Sequence, residues 1–90
     1  MLELRPTPTF RREYKLMKKR GKNMQLLENV LDILMQEQPL PEKYRDHSLK
    51  GNYIGYRECH IQPDWLLIYK IENEQLILVA ARTGSHSDLF

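Results

Sequence analysis

An α+β fold is predicted: a short N-terminal strand, then an antiparallel two-helix hairpin packed on a mainly antiparallel sheet. Three observations lead there. Apolar residues recur at helical spacing twice before Pro39, strand-like runs take over from Ile54, and a turn-rich stretch without periodicity lies between. Ninety residues suit a single domain, 1–90, with one compact core.

Leu2 and Leu4 place a short strand over 2–5. "TPTF" then reads as a helix start, with Thr7 as N-cap and Pro8 at the first helical position. Phe10, Tyr14 and Met17 form the core stripe of that helix, which is expected to stop at Gly21. Asn23 caps a second helix through about Gln36. Its two apolar rows (Met24, Leu27, Leu31, Leu34 and Leu26, Val30, Ile33) predict a helix pressed between a partner helix and a sheet. Pro39 and Pro41 end helical structure and open a long loop. "YRECHI" alternates, with Tyr56, Glu58 and His60 on one face and Arg57, Cys59 and Ile61 on the other. "WLLIYKI" is apolar throughout, as a central strand covered on both sides should be. "ENEQ" reads as a hairpin turn, with Asn73 suited to positive φ, and "LILVAAR" as a third buried strand ending at Arg82. "SHSDLF" is left as a short tail.

Composition narrows the function classes. With 29% charged residues and no apolar run near the roughly 18–20 residues of a membrane span, no membrane association is expected. "MLELRPTPTF" lacks the order of a signal peptide, and one cysteine cannot form an internal disulfide, so a cytoplasmic protein is expected. The net charge of +2 says little, but its distribution is lopsided. Seven of the fourteen basic residues fall between Arg11 and Lys22 against one acid, Glu13. Arg11, Lys15, Lys18 and Lys22 follow helical spacing as a continuous ridge, which a solvated helix face would also explain.

The chemistry-bearing residues lie in the second half. If the three long strands pair in sequence, the Gln62-Pro63 turn and the exit of the last strand meet at one edge, and His60, Asp64, Arg82 and His86 converge there. Imidazoles, a carboxylate and a guanidinium without an activated serine or cysteine suit RNA cleavage. The ribose 2′-OH is an internal nucleophile, so the protein supplies only a base, an acid and a cation. Histidine, titrating near 6.5 when unperturbed, fills either proton-transfer role. Metal binding by His47, His60, Asp64 and His86 is the chemical rival, but the spacing matches no dedicated zinc pattern. No metal or other cofactor is therefore expected. Trp65 reads as core or support, Cys59 as an inert buried thiol, and Glu58 as an orienter of His60, a base, or an ordinary sheet acid. Phe90, Trp65 or Tyr56 could stack on an unpaired base.

"DHSLKG", "GYRECHIQPDWLLIYK" and "RTGSHSDLF", in that order and with consistent gaps, resemble the signature blocks of the YafQ branch of the RelE/ParE superfamily of type II toxins. The resemblance covers residue 46 to the end, and the helical half fits the same order of elements. It implies a RelE-like, microbial-RNase-like fold and a toxin acting as a ribosome-dependent mRNA endoribonuclease without metal. Its implied partners are a cognate antitoxin, mRNA, the ribosome near the 16S rRNA of the A site, and operator DNA only together with the antitoxin. The family's catalytic positions correspond to His47, His60, Asp64, Arg82, His86 and Phe90. His86 would be the general acid, His60 or Asp64 the base or orienter, and His47 an aid at the phosphates. Phe90, Lys50 and the ridge residues Arg11, Lys15 and Lys18 would bind RNA, with Trp65 and Glu58 in support. A non-catalytic, ParE-like relative aimed at gyrase and a plain nucleic-acid-binding module are the alternatives.

Overall fold

The computed structural model describes residues 1–90 and shows the predicted α+β architecture. In chain order the elements are β1 (Glu3–Pro6), α1 (Pro8–Lys19), α2 (Met24–Met35), β2 (His47–Ser48), β3 (Arg57–Gln62), β4 (Trp65–Glu72), β5 (Ile77–Gly84) and α3 (His86–Leu89). The sheet order is β1-β5-β4-β3-β2. Only the β1–β5 pair is parallel.

Local chemistry sets the helix ends. The Thr7 side chain accepts from the Phe10 N–H at 3.0 Å, Pro8 follows, and Lys18 and Lys19 lie where the dipole of α1 favours cations. Gly21 takes φ +83°, which turns the chain out of α1. Asn23 then caps α2 by accepting from the Gln25 N–H. Phe10 and Met17 of α1 and Leu27, Val30, Leu31 and Leu34 of α2 bury against Cys59, Ile61, Trp65, Leu67, Tyr69, Leu78 and Ala80 on one sheet face. Each fully buried aliphatic side chain of this kind contributes roughly 1.5–3 kcal/mol. The opposite face is thinner. Leu66, Ile68 and Ala81 are covered there by Leu89 of α3, with Leu49, Tyr53 and Tyr56 at the margin.

Helix α1 also completes the sheet edge. β1 pairs with β5 only as far as Pro6 and Ala80. Beyond that point Thr7 Oγ1 donates to the Ala81 carbonyl at 2.7 Å, and Glu13 accepts from the Thr83 N–H at 3.2 Å. Side chains of the helix satisfy backbone groups that a longer β1 would have paired. Inside the core, the Trp65 indole N–H donates to Thr83 Oγ1 at 2.9 Å, and that hydroxyl donates to the Leu66 carbonyl at 2.8 Å. Trp65 is fully buried, so its ring is not open to stacking.

Five local expectations change. The first strand lies at 3–6, one residue later than expected. The long loop contains β2 and two 3₁₀ turns, at Glu42–Tyr44 and Gly51–Tyr53. The β4–β5 connection is a 3₁₀ turn whose left-handed residue is Leu76 at φ +54°, in place of Asn73. β5 continues past Arg82 to Gly84, because Leu66 and Leu67 of β4 still pair with Gly84 and Thr83. The tail forms α3, started by a reciprocal capping box between Ser85 and Asp88. Gly84 permits that fold-back, since a Cβ there would stand 2.9 Å from the Asp88 side chain.

Candidate active site

The sheet face away from α1 and α2 carries the polar cluster. Its placement follows from register, because directly paired residues share a face. One row across the sheet reads Arg82, Ile68, Glu58, His47, and the next reads Gly84, Leu66, His60. Arg82 reaches this face through a bulge. Tyr69 pairs with Ala80 and Ile68 with Arg82, so Ala81 is the extra residue of β5. Strict alternation from Leu78 and Ala80 would have turned Arg82 under the helices.

His86, at the start of α3, is pinned to the turn between β3 and β4. Asp64 Oδ1 accepts from the His86 backbone N–H at 2.9 Å and from its Nδ1–H at 2.6 Å. His60 lies alongside, with 5.6 Å between the two ring centroids. Its Nδ1–H is directed at the Pro63 carbonyl, 3.3 Å away. His47 is the third imidazole, with its ring centroid 6.4 Å from that of His60. Its Nδ1–H donates to the Arg45 carbonyl at 2.7 Å. Glu58 lies beneath both, with Oε1 3.4 Å from His47 Nε2 and 3.8 Å from His60 Nε2. That carboxylate is nearly buried, and Oε2 has no hydrogen-bond partner in the molecule. Asp46, next to His47 in the chain, accepts from Tyr69 Oη at 2.5 Å and from the Arg57 guanidinium.

Arg82 belongs to a neighbouring group. Nη2 donates to Glu13 Oε2 at 2.6 Å, Nε to Oε1 at 3.3 Å, and Nη1 to the Tyr53 hydroxyl at 3.1 Å. The Glu13 carboxylate, then the Tyr53 hydroxyl, hold the guanidinium pKa well above its ordinary value. Tyr53 stands edge-on to Phe90, with ring centroids 6.1 Å apart. The structure thus gathers His47, His60, His86, Asp64 and Glu58, and sets Arg82 and Phe90 beside them with Tyr53. Two strand spacings, about 10 Å, separate the Arg82 and Glu58 backbones in their shared row. Lys50, Arg11, Lys15 and Lys18 are exposed. The ridge ends near the cluster, where Lys22 lies over the Trp65 ring at 5.9 Å and adds to the field that depresses the Asp64 pKa.

A family model described as a bacterial toxin of the type II toxin–antitoxin system, YafQ, matches residues 2–90. The chain belongs to the YafQ family of type II toxins. It is 42% identical to the mRNA interferase toxin YafQ of Escherichia coli K12 over 82 residues, 90% of this chain and 87% of that one. The crystal structure of a metal-bound toxin from Helicobacter pylori is 43% identical, superposes with a TM-score of 0.94, and is covered fully in both chains. The E. coli DinJ–YafQ complex gives 37% identity and a TM-score of 0.91, over 100% of this chain and 99% of that one.

Four residues that hold this part of the structure together are not evident from the sequence. Glu13 shows only as the one acid in a basic run, Tyr53 gives no signal within an aperiodic loop, and Asp46 gives none beyond opening the "DHSLKG" block. Arg20 reads only as one of the seven basic residues between Arg11 and Lys22, yet its guanidinium grips both Asp88 oxygens, at 2.6 and 3.0 Å. That grip ties α1 to the short helix carrying His86.

Two carboxylates are held below their usual range: Asp88 by the Arg20 guanidinium and then the Ser85 N–H, Asp64 by the His86 N–H and then its imidazole. A depressed folded pKa stabilises the fold above the ordinary carboxylate value of 3.8, and that stability is lost as pH falls through the lower, folded value. Melting temperature should therefore drop below about pH 4. Asp88→Asn should melt lower than the unmodified chain at pH 6, and the gap should narrow by about pH 2, as thermal scans across that range will show.

Proposed function

We propose that this chain is an endoribonuclease that cuts ribosome-bound mRNA by attack of the ribose 2′-OH on the adjacent phosphodiester. The observation that carries the reading is the Asp64-pinned His86 beside His60 on an open sheet face, in a chain of the YafQ family. With Nδ1–H donated to Asp64, His86 Nε2 is the ring atom left to give a proton to the departing 5′-oxygen. His60 has its Nδ1–H directed at Pro63, so its Nε2 lone pair is the base for the 2′-OH proton. Asp64 thereby becomes the orienter of the acid, which leaves the base role to His60. His47 and Glu58 bound the far side of the base and set its orientation. Arg82 and the Tyr53 hydroxyl, whose own proton is free because it accepts from Arg82, supply donors to the non-bridging phosphate oxygens. Phe90 offers an exposed ring for stacking on a base, and Lys50, Arg11, Lys15 and Lys18 contact ribosomal or messenger phosphates.

The Helicobacter pylori relative is a metal-bound toxin, whereas the contacts of the imidazoles in this chain are with carbonyls and carboxylates. Each imidazole is already oriented by a carbonyl or carboxylate for proton transfer, and no step is assigned to a metal. The DinJ–YafQ complex supports a cognate antitoxin as partner; binding of operator DNA together with that antitoxin is part of the proposal. No helix is long and apolar enough to cross a membrane, which is consistent with action on cytoplasmic ribosomes.

Induction of the chain in cells, followed by mapping of mRNA 5′ ends, tests this reading. New ends should appear within translated codons and disappear when the neighbouring antitoxin gene is co-expressed. Growth arrest without new ends would favour a non-catalytic, ParE-like action.

A further inference from the structure

A cleft of about 670 Å³ opens off the imidazole cluster, between the turn at residues 42–45 and the Gln62-Pro63 end of the β3–β4 hairpin. His60 and His86 form one end of it, and Lys43, Tyr44, Arg45 and Gln62 line the rest. Its size lies within the roughly 300–1,000 Å³ of small-molecule sites. We propose that this cleft seats the RNA nucleobase flanking the scissile phosphodiester, with the Arg45 guanidinium and the Gln62 amide reading its hydrogen-bonding edge. The inference rests on the nuclease reading above and adds where base preference is set.

Four features support it. The cleft is continuous with the two imidazoles assigned as acid and base, so a nucleotide whose phosphate lies between them must direct its base into the cleft or out into solvent. The lining carries what base recognition needs: an amide that both donates and accepts, a guanidinium fork, and an apolar floor of Leu26 and Ile61. Arg45 and Gln62 are exposed, so their polar ends are open to a ligand. Finally, Arg45 sits in the left-handed region at φ +50°, uncommon for a residue with a Cβ. In that conformation its carbonyl holds His47 while its side chain borders the cleft, so one backbone position serves both the imidazole cluster and the recognition surface.

The test compares cleavage positions of the unmodified chain, Gln62→Ala and Arg45→Asn on the same translated mRNAs. Asparagine tolerates the left-handed backbone, so that variant removes the guanidinium without adding strain. Base preference at one position beside the cut should relax by roughly tenfold in each variant, about what one well-made base contact discriminates, with other positions unchanged. An unchanged preference, or an equal fall in cutting at every site, overturns the proposal; the second result would make Arg45 a phosphate contact. Where a variant cuts too weakly to map, trinucleotides with 2′-deoxy sugars serve as probes, since they lack the nucleophile. NMR shifts differing by base and confined to residues 42–45 and 60–63 support the cleft, and their absence overturns it. Failure of the nuclease reading would show separately, as an unmodified chain that leaves mRNA intact or a His86→Ala variant that cuts normally.

Discussion

Replacing His86 by alanine is expected to lower RNA cleavage by about 10²–10⁴-fold and to abolish growth arrest, while antitoxin binding persists. The ring carries the side-chain hydrogen bond to Asp64 and lies beside His60, and its Nε2 is the assigned proton donor. The fold should survive, because the His86 side chain is 53% exposed and helix α3 is held by Leu89 and by the Arg20–Asp88 pair. Single-turnover cleavage on programmed ribosomes, with a melting curve of the same sample, separates lost chemistry from lost structure. Asp64→Asn should fall between, since an amide can still accept one hydrogen bond from His86 but no longer balances a charged ring. Full toxicity in His86→Ala would move the chemistry elsewhere.

Glu13→Ala should have the second largest effect, through two losses at once. It leaves the Arg82 guanidinium without its carboxylate and the Thr83 N–H without an acceptor. Breaking a fully buried pair costs about 3–5 kcal/mol. With Arg82 27% and Glu13 13% exposed, about 2–3 kcal/mol is expected, a drop in melting temperature on the order of 10 °C. Glu13 touches no substrate in the proposed mechanism, so it is a positioning residue, and cleavage should fall because Arg82 and Tyr53 lose their arrangement. Glu13→Gln should recover part of both, as its amide oxygen can still accept from Thr83. If Glu13→Ala melted like the unmodified chain and cut at the same rate, Arg82 would have to be held by something else.

Periodicity made most of the architecture legible. The helical stripes of α1 and α2, the alternation of "YRECHI" and the apolar run from Trp65 each correspond to the element they predict, because burial on one or two faces dictates each pattern. Topology predicts that His60, Asp64, Arg82 and His86 converge at one sheet edge; His60, Asp64 and His86 do meet, whereas Arg82 stands in a neighbouring group with Glu13 and Tyr53. Pairings between particular side chains were not legible. Which imidazole Asp64 engages depends on where α3 turns back after Gly84, and that depends on a capping box inside what reads as a polar tail. The direction of Arg82 depends on one bulged residue, Ala81, in a run that alternation alone would place under the helices. Strand β2 is two residues long and leaves no periodic trace, yet it puts His47 across from Glu58.

The chemistry of the new RNA ends tests the acid–base account most directly. Attack by the 2′-OH, with the proton passing to the 5′-oxygen, leaves a 2′,3′-cyclic phosphate on one fragment and a 5′-hydroxyl on the other. Those termini are expected from the unmodified chain. A 5′-phosphate with a free 3′-hydroxyl would mean that water, and not the ribose, attacks phosphorus, and would contradict the roles given to His60 and His86.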